Sequence, residues 1–259
     1  MTPESREIDA GGHRLHVDIS GTGPPDLVCL HGLVDSVAIW DRVTPPLAKT
    51  GRVVRVDQRG HGRSEAPPGP YRREDLASDV TAVLASLAIE RAVLVGHSLG
   101  GIISMTTALC HPEQVAGLVL VATASQCNAK VAGWYERIAA AGERDGNAGL
   151  AHAIYGEKTR KQVAGDAQGI AHVTRALKSL FEDPLTPKLS AIRCPVLLVV
   201  GEKDPMGPKA SAIIAENLPD ARLEIVPDCG HWIHVERPQV LLDAIERFVP
   251  RIQGGPTGA

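Results

Sequence analysis

Ser98 sits in Gly96-His97-Ser98-Leu99-Gly100-Gly101, directly after the apolar run Ala92-Val93-Leu94-Val95. A hydroxyl is a poor nucleophile unless a base takes its proton and a third group orients that base. The chain carries a candidate for each downstream: Asp204, in Gly201-Glu202-Lys203-Asp204, and His231, in Gly230-His231-Trp232. Gly-x-Ser-x-Gly between a strand and a helix is the turn that presents a serine nucleophile, and serine, acid, histidine is the chain order that accompanies it. Such a turn is so tight that larger side chains would collide with neighbouring backbone. The helix that follows aims its amino end at the reacting group and favours developing negative charge. Each residue also has a plainer reading: Ser98 as a turn serine, Asp204 as a turn or cap aspartate before Pro205, His231 as a surface histidine. Asp228 competes as the acid but lies close to His231 in sequence. The run 118–121 ends in Ala122-Thr123-Ala124, so the other place for an acid holds none.

Residues so far apart must be gathered by a fold. Short continuous apolar runs at 27–30, 53–56, 92–95, 118–121 and 195–200 read as strands buried on both faces, with 223–226 weaker and nearer an edge. Residues 7–19 read as a hairpin turning at Ala10-Gly11-Gly12. Between the strands, 73–87 sets Leu76, Val80, Val83, Leu84 and Leu87 on one helical face, and 239–249 does so with Val240, Leu241, Ile245 and Phe248. Alternating strands and helices imply an α/β fold with a mostly parallel sheet and right-handed crossovers. Ligands then sit at the carboxyl ends of the strands. Polar and glycine residues follow nearly every run: His31-Gly32-Leu33, Asp57 to Ser64, the Ser98 turn, Gly201 to Asp204, and Pro227 to Trp232. Residues 125–190 break the rhythm and read as a helical cap inserted into a core of 1–124 and 191–252, or else as wider helical cover for the sheet. Residues 253–259, with three glycines and a proline, read as a disordered tail.

With 259 residues the chain can bury one sizeable core. Its net charge of −3 gives no basic field for nucleic acid or anionic membrane. The start lacks a basic segment leading into an apolar one, and no run approaches the roughly 18 apolar residues of a membrane span. The five cysteines are scattered and lack metal-ligand spacing, so buried thiols in a reducing cytoplasm are expected. No metal or cofactor is expected, and the partner is a small molecule; oligomeric state is unmarked. With only 3% aromatic residues, the rare rings Trp40, Trp134, Tyr135, Tyr155, Phe181 and Trp232 could line a pocket, and Trp40, Trp134 and Trp232 are the candidates for touching substrate.

Taken in order, His31-Gly32, Asp57-Gln58-Arg59-Gly60-His61-Gly62-x-Ser64, Gly96 to Gly101, Gly201 to Asp204, and Gly230-His231 with Glu236-Arg237-Pro238 resemble the α/β-hydrolase superfamily over residues 7–250. The resemblance implies an eight-stranded sheet with helices on both faces and a small cap. It makes Ser98 the nucleophile, His231 the general base and then acid, and Asp204 the orienter. It assigns the oxyanion hole to the backbone N–H groups of Leu33 and Leu99. His31, His97 and the Asp57-Arg59-His61 turn read as structural. The short cap and His31-Gly32-Leu33 with Trp40 are similar to small bacterial serine carboxylesterases, 3-oxoadipate enol-lactonases and cofactor-free perhydrolases, implying a small ester or lactone as substrate. Gly230-His231-Trp232 resembles hydrolases that cleave C–C bonds of ring-fission products, which carry Asn and Met where this chain has His97 and Leu99. A non-catalytic small-molecule receptor on the same fold is the alternative outside enzymology.

Overall fold

Alternating Leu15, Val17 and Ile19 bury one face of β2 (Arg14–Ser20), which pairs antiparallel with β1 (Glu4–Asp9). Asp9 closes their turn by accepting the Gly11 and Gly12 amides at 3.0 and 2.9 Å. The remaining apolar runs become β3 (Asp26–Leu30), β4 (Arg52–Val56), β5 (Ala92–His97), β6 (Val115–Val121), β7 (Val196–Gly201) and β8 (Ala221–Val226). The computed structural model describes residues 3–253. Its eight strands form one sheet in the order β1-β2-β4-β3-β5-β6-β7-β8, antiparallel only at the β1/β2 and β2/β4 pairs.

Successive residues of a strand face opposite sides. Val28, Leu30 and Leu94 therefore enter one apolar cluster, while Leu27, Cys29, Val93 and Val95 enter another. Full burial of each such side chain is worth about 1.5–3 kcal/mol. The first face is covered by α2 (Arg73–Ser86) and α3 (Leu99–Cys110), whose expected stripe Leu76, Val80, Val83 and Leu84 is buried. The second is covered by Leu47 of the short α1 (Thr44–Leu47) and by the C-terminal helix that ends at Gln253. There Leu241, Ile245 and Phe248 point inward as expected, but Val240 is 37% exposed and Leu242 takes an inward place instead. Only Cys29 and Cys229 of the five thiols are buried, and Cys110 is exposed. β8 lies at the sheet edge, and half of Ile225 is exposed there.

Between β6 and β7 the chain forms two longer helices, α4 (Ala129–Tyr155) and α5 (Ala167–Lys178), which pack on each other. Their first turns are closed by side chains: Asn128 accepts the Val131 amide at 3.0 Å and Asp166 the Gly169 amide at 2.7 Å. Gly146, at φ 63°, breaks α4 into two. Ile138, Leu150, Ile170 and Leu177 share an apolar cluster with Leu94 and Ile103, so the inserted helices pack into the core itself. The loop between α4 and α5 is tied down by backbone, Gly62 N–H to Ala164 O at 3.0 Å and Asp166 N–H to Gly60 O at 2.8 Å. After β7 come α6 (Gly207–Glu216), α7 (Ile233–Glu236) and α8 (Pro238–Gln253). Most of the tail expected at 253–259 lies outside the described residues. No described helix is long and apolar enough to cross a membrane.

Candidate active site

Sheet register brings the strand ends to one rim: Leu30 is opposite both Val56 and Gly96, His97 opposite Val121, and Gly201 opposite Val226. Whatever follows β3, β5, β7 and β8 therefore meets around one opening. A cavity of about 280 Å³ lies there, lined by Ser98, His231, Leu33, Trp134 and Trp232 among others. A larger concavity of about 620 Å³, lined by Arg91, Cys194 and Pro195, opens at the opposite ends of the strands and holds none of the predicted residues.

Ser98 has φ 51° and ψ −111°, a conformation costing a non-glycine residue about 1–3 kcal/mol. Its neighbours hold it there. The Ser98 amide donates to Val121 O at 2.9 Å, and its carbonyl accepts from Thr123 Oγ1 at 2.7 Å and from the Gly101 amide at 3.0 Å. A β-carbon at position 96 would lie 2.3 Å from Gly100 O, and one at 100 would lie 2.1 Å from Leu30 O. Those contacts are backbone and cannot move aside, so both positions require glycine.

Asp204, three positions beyond Gly201 at the end of β7, has a fully buried side chain. Its Oδ1 accepts the Met206 amide at 2.7 Å, and its Oδ2 lies 2.8 Å from His231 Nδ1. A carboxylate only accepts, so Nδ1 carries the proton and Nε2 is left with a lone pair. That is the tautomer a general base requires. The rival acid Asp228 is on the surface, 72% exposed at the side chain, and pairs with Lys203 at 2.7 Å. Among the described residues no hydrogen bond joins the Ser98 hydroxyl to the His231 ring. Such contacts are often long without substrate and shorten on binding. Neither Leu33 nor Leu99 donates its amide to a described backbone acceptor, whereas nearby Gly100 and Asp35 donate theirs to His31 O and Gly32 O at 3.1 and 3.2 Å.

His31, His97 and His61 are held among buried neighbours. His31 Nδ1 donates to Gly32 O at 2.7 Å and Nε2 accepts the Gln58 amide at 3.1 Å, with burial pushing the ring down to about 4. His97 Nε2 lies 3.1 Å from His231 O, tying the elbow to the histidine loop. Burial, with His234 and His231 nearby, holds the His97 ring well below the usual histidine range. Asp57 accepts the Val37 and Arg63 amides at 2.7 and 3.0 Å, and Arg59 pairs with Asp79 at 2.6 Å. Burial pushes His61 down to about 3.

The three tryptophans divide. Trp134 of α4 and Trp232 both line the cavity, and the Trp232 ring stands edge-on to His231 with centroids 5.2 Å apart. Trp40 does not line it. It is fully buried in the cluster on the second sheet face, against the His234 ring at 4.8 Å. The loop after β3 turns it back beneath the sheet, where a large ring fills volume. Tyr135 and Tyr155 line it too, and so do Asp35, Ile154, Leu177 and Met206, which the sequence did not mark as pocket residues. Tyr135 and Tyr155 had only the general rarity of aromatic residues to mark them, and Asp35 had no local signal. Among the described residues no three His, Cys, Asp or Glu side chains gather as a metal site would.

A family model described as the alpha/beta hydrolase fold matches residues 25–238. The chain belongs to this family. It is 33% identical to a 2-hydroxymuconate semialdehyde hydrolase of Pseudomonas sp. (strain CF600), over 91% of this chain and 90% of that protein. It is 29% identical to a 2-(acetamidomethylene)succinate hydrolase of Mesorhizobium japonicum, over 95% of each. Among solved structures it is similar to the enol-lactonase from Burkholderia xenovorans LB400, with a TM-score of 0.85 and 27% identity, over 95% of this chain and all of the other. Membership and these relatives support hydrolase chemistry. At the rim, the arrangement sets an alcohol, an imidazole paired with a buried carboxylate, and Leu33 around one opening.

Proposed function

We propose that the protein is a serine hydrolase that cleaves carboxylic esters or lactones of small molecules through an acyl-enzyme on Ser98. The observation that carries this reading is the Asp204–His231 pair at 2.8 Å, facing the cavity that Ser98 lines. Ser98 Oγ attacks the carbonyl carbon while His231 Nε2 takes the hydroxyl proton. The resulting oxyanion receives the Leu33 and Leu99 amides, each such donor being worth about 100-fold or more in rate. Collapse breaks the bond to the alcohol, which leaves with the proton from His231. A water molecule then repeats the sequence and frees the acid. The cavity of about 280 Å³ is at the small end of ligand sites, which suits short acyl and alcohol groups.

The test is labelling with a fluorophosphonate, read by mass, alongside turnover of p-nitrophenyl acetate. Labelling on Ser98 and turnover, both lost in Ser98→Ala, are expected. A chain that ignores the probe and turns over no ester overturns the reading and favours a receptor.

The 33% identity to a 2-hydroxymuconate semialdehyde hydrolase supports a second reading, cleavage of a C–C bond in a vinylogous diketone. His97 and Leu99 beside the serine argue for esters instead. A panel of short esters, lactones and one vinylogous diketone separates the two.

A further inference from the structure

One wall of the cavity carries a carboxyl that the acyl-transfer steps leave unused. Asp35, on the loop after β3, is the only Asp or Glu lining the cavity, and neither Lys nor Arg lines it among the described residues. Burial pushes its carboxyl up to about 6, with the side chain of Trp232 and the charges of Lys161 and His231 drawing it back. Asp35 also lines a cleft of about 430 Å³ at the seam between cap and core, where Asp41 and Arg42 are the charged neighbours.

Beside Asp35 stand two aromatic faces. Tyr155, at the end of α4, and Trp232, next to His231, have ring centroids 6.2 Å apart and tilted by 36°. Over both lies an ammonium from the chain itself: Lys161 Nζ is 4.1 Å from the Tyr155 centroid and 4.5 Å from that of Trp232. Lys161 forms no salt bridge within 4.0 Å among the described residues, and its ammonium rests on the two rings. Ring faces present negative potential, and a nearby carboxylate adds to it. The intramolecular contact shows that this pair of rings accepts an ammonium. Both rings line the cavity that Ser98 and His231 also line, and Trp232 stands edge-on to His231 with centroids 5.2 Å apart.

We propose that Asp35, Tyr155 and Trp232 form an ammonium subsite, and that the preferred substrates are small esters carrying a positive charge a few bonds from the ester group. The inference rests on the serine-hydrolase reading and narrows its substrate class. The substrate cation takes the place that Lys161 Nζ holds, and Lys161, on the loop between α4 and α5, moves aside. Esters bearing a carboxylate meet Asp35 with like charge and are disfavoured.

The experiment compares three acetate esters of similar shape: acetylcholine, its neutral isostere 3,3-dimethylbutyl acetate, and anionic 3-acetoxypropanoate. At pH 8 the kcat/KM ratio of cationic to neutral ester is expected to be about tenfold, with the anionic ester below both. Asp35 is ionised above about 6 and neutral below it, so the cationic-to-neutral ratio should rise with pH through that value and then level. Effects on the histidine base are common to both esters and cancel. Asp35→Asn should bring the ratio close to one and remove its pH dependence. Lys161→Ala should raise the ratio, because the internal competitor is gone. Should Asp35→Asn fail to fold, competitive inhibition of the wild-type protein by choline, compared with 3,3-dimethylbutan-1-ol, makes the same comparison.

A ratio at or below one in the wild-type protein overturns the subsite, as does a ratio that Asp35→Asn leaves unchanged. Turnover of p-nitrophenyl acetate with none of acetylcholine overturns it too. Failure of every ester together with failure of fluorophosphonate labelling instead overturns the serine-hydrolase reading beneath it.

Discussion

The floor of the cavity is set by backbone, whereas its roof is set by side chains. Beneath, Gly96 and Gly100 let two segments approach within distances that no β-carbon tolerates, and Ser98 is held at positive φ by bonds to Val121, Thr123 and Gly101. Above, Trp134, Tyr135 and Tyr155 hang from α4, held by apolar packing and by the short backbone bridge at Gly60 to Gly62. Contacts made of backbone admit one residue type, while contacts made of side chains admit many. The floor can therefore keep one chemistry while the roof varies what it is applied to.

Breaking the floor should cost most. Ser98→Ala should lower turnover by about 10⁶-fold, as loss of the nucleophile does in a well-studied serine protease, with an unchanged circular dichroism spectrum. Asp204→Asn should cost about 10⁴-fold through the wrong histidine tautomer, and the surface Asp228→Asn almost nothing. The reverse order in kcat would move the acid to Asp228. Gly100→Ala forces a β-carbon onto Leu30 O and should destabilise the fold by about 3 kcal/mol or more, read as a drop in the urea midpoint. Trp40→Ala sharpens the contrast from beneath the sheet: about 3–5 kcal/mol of stability lost, with KM in the surviving fold unchanged. A large KM effect there would return Trp40 to the pocket. The roof should respond least in chemistry. Trp134→Ala, at a residue 37% exposed, should change stability by about 0.5 kcal/mol and shift KM between esters of different size while kcat is retained.

Legibility in the sequence follows the same division. The positions of the Ser98 turn, Asp204, His231 and the strands leading to them were readable because each sits on a short local pattern: an apolar run, then a turn needing glycine or a polar residue. The hairpin and the stripe of α2 were readable for the same reason. Val240 was misread because helical periodicity fixes a face only to within one residue. Trp40 was misread because ring size and proximity to His31-Gly32 say nothing about which side of the sheet a loop returns to. Asp35 left no trace, since a lone aspartate in a loop looks like solvent-exposed polarity until burial and neighbouring rings are known.

The sequence by itself determined which runs become strands, that they alternate with helices, and the one glycine-bounded turn that presents Ser98; those signals act between residues a few positions apart. The tertiary structure alone decided which side chains face the cavity: that Trp232 and Tyr155 share it, that Asp35 forms its wall, and that Trp40 lies under the sheet. Those outcomes depend on how loops and inserted helices settle over a finished sheet, and packing between distant segments leaves no local periodicity to read.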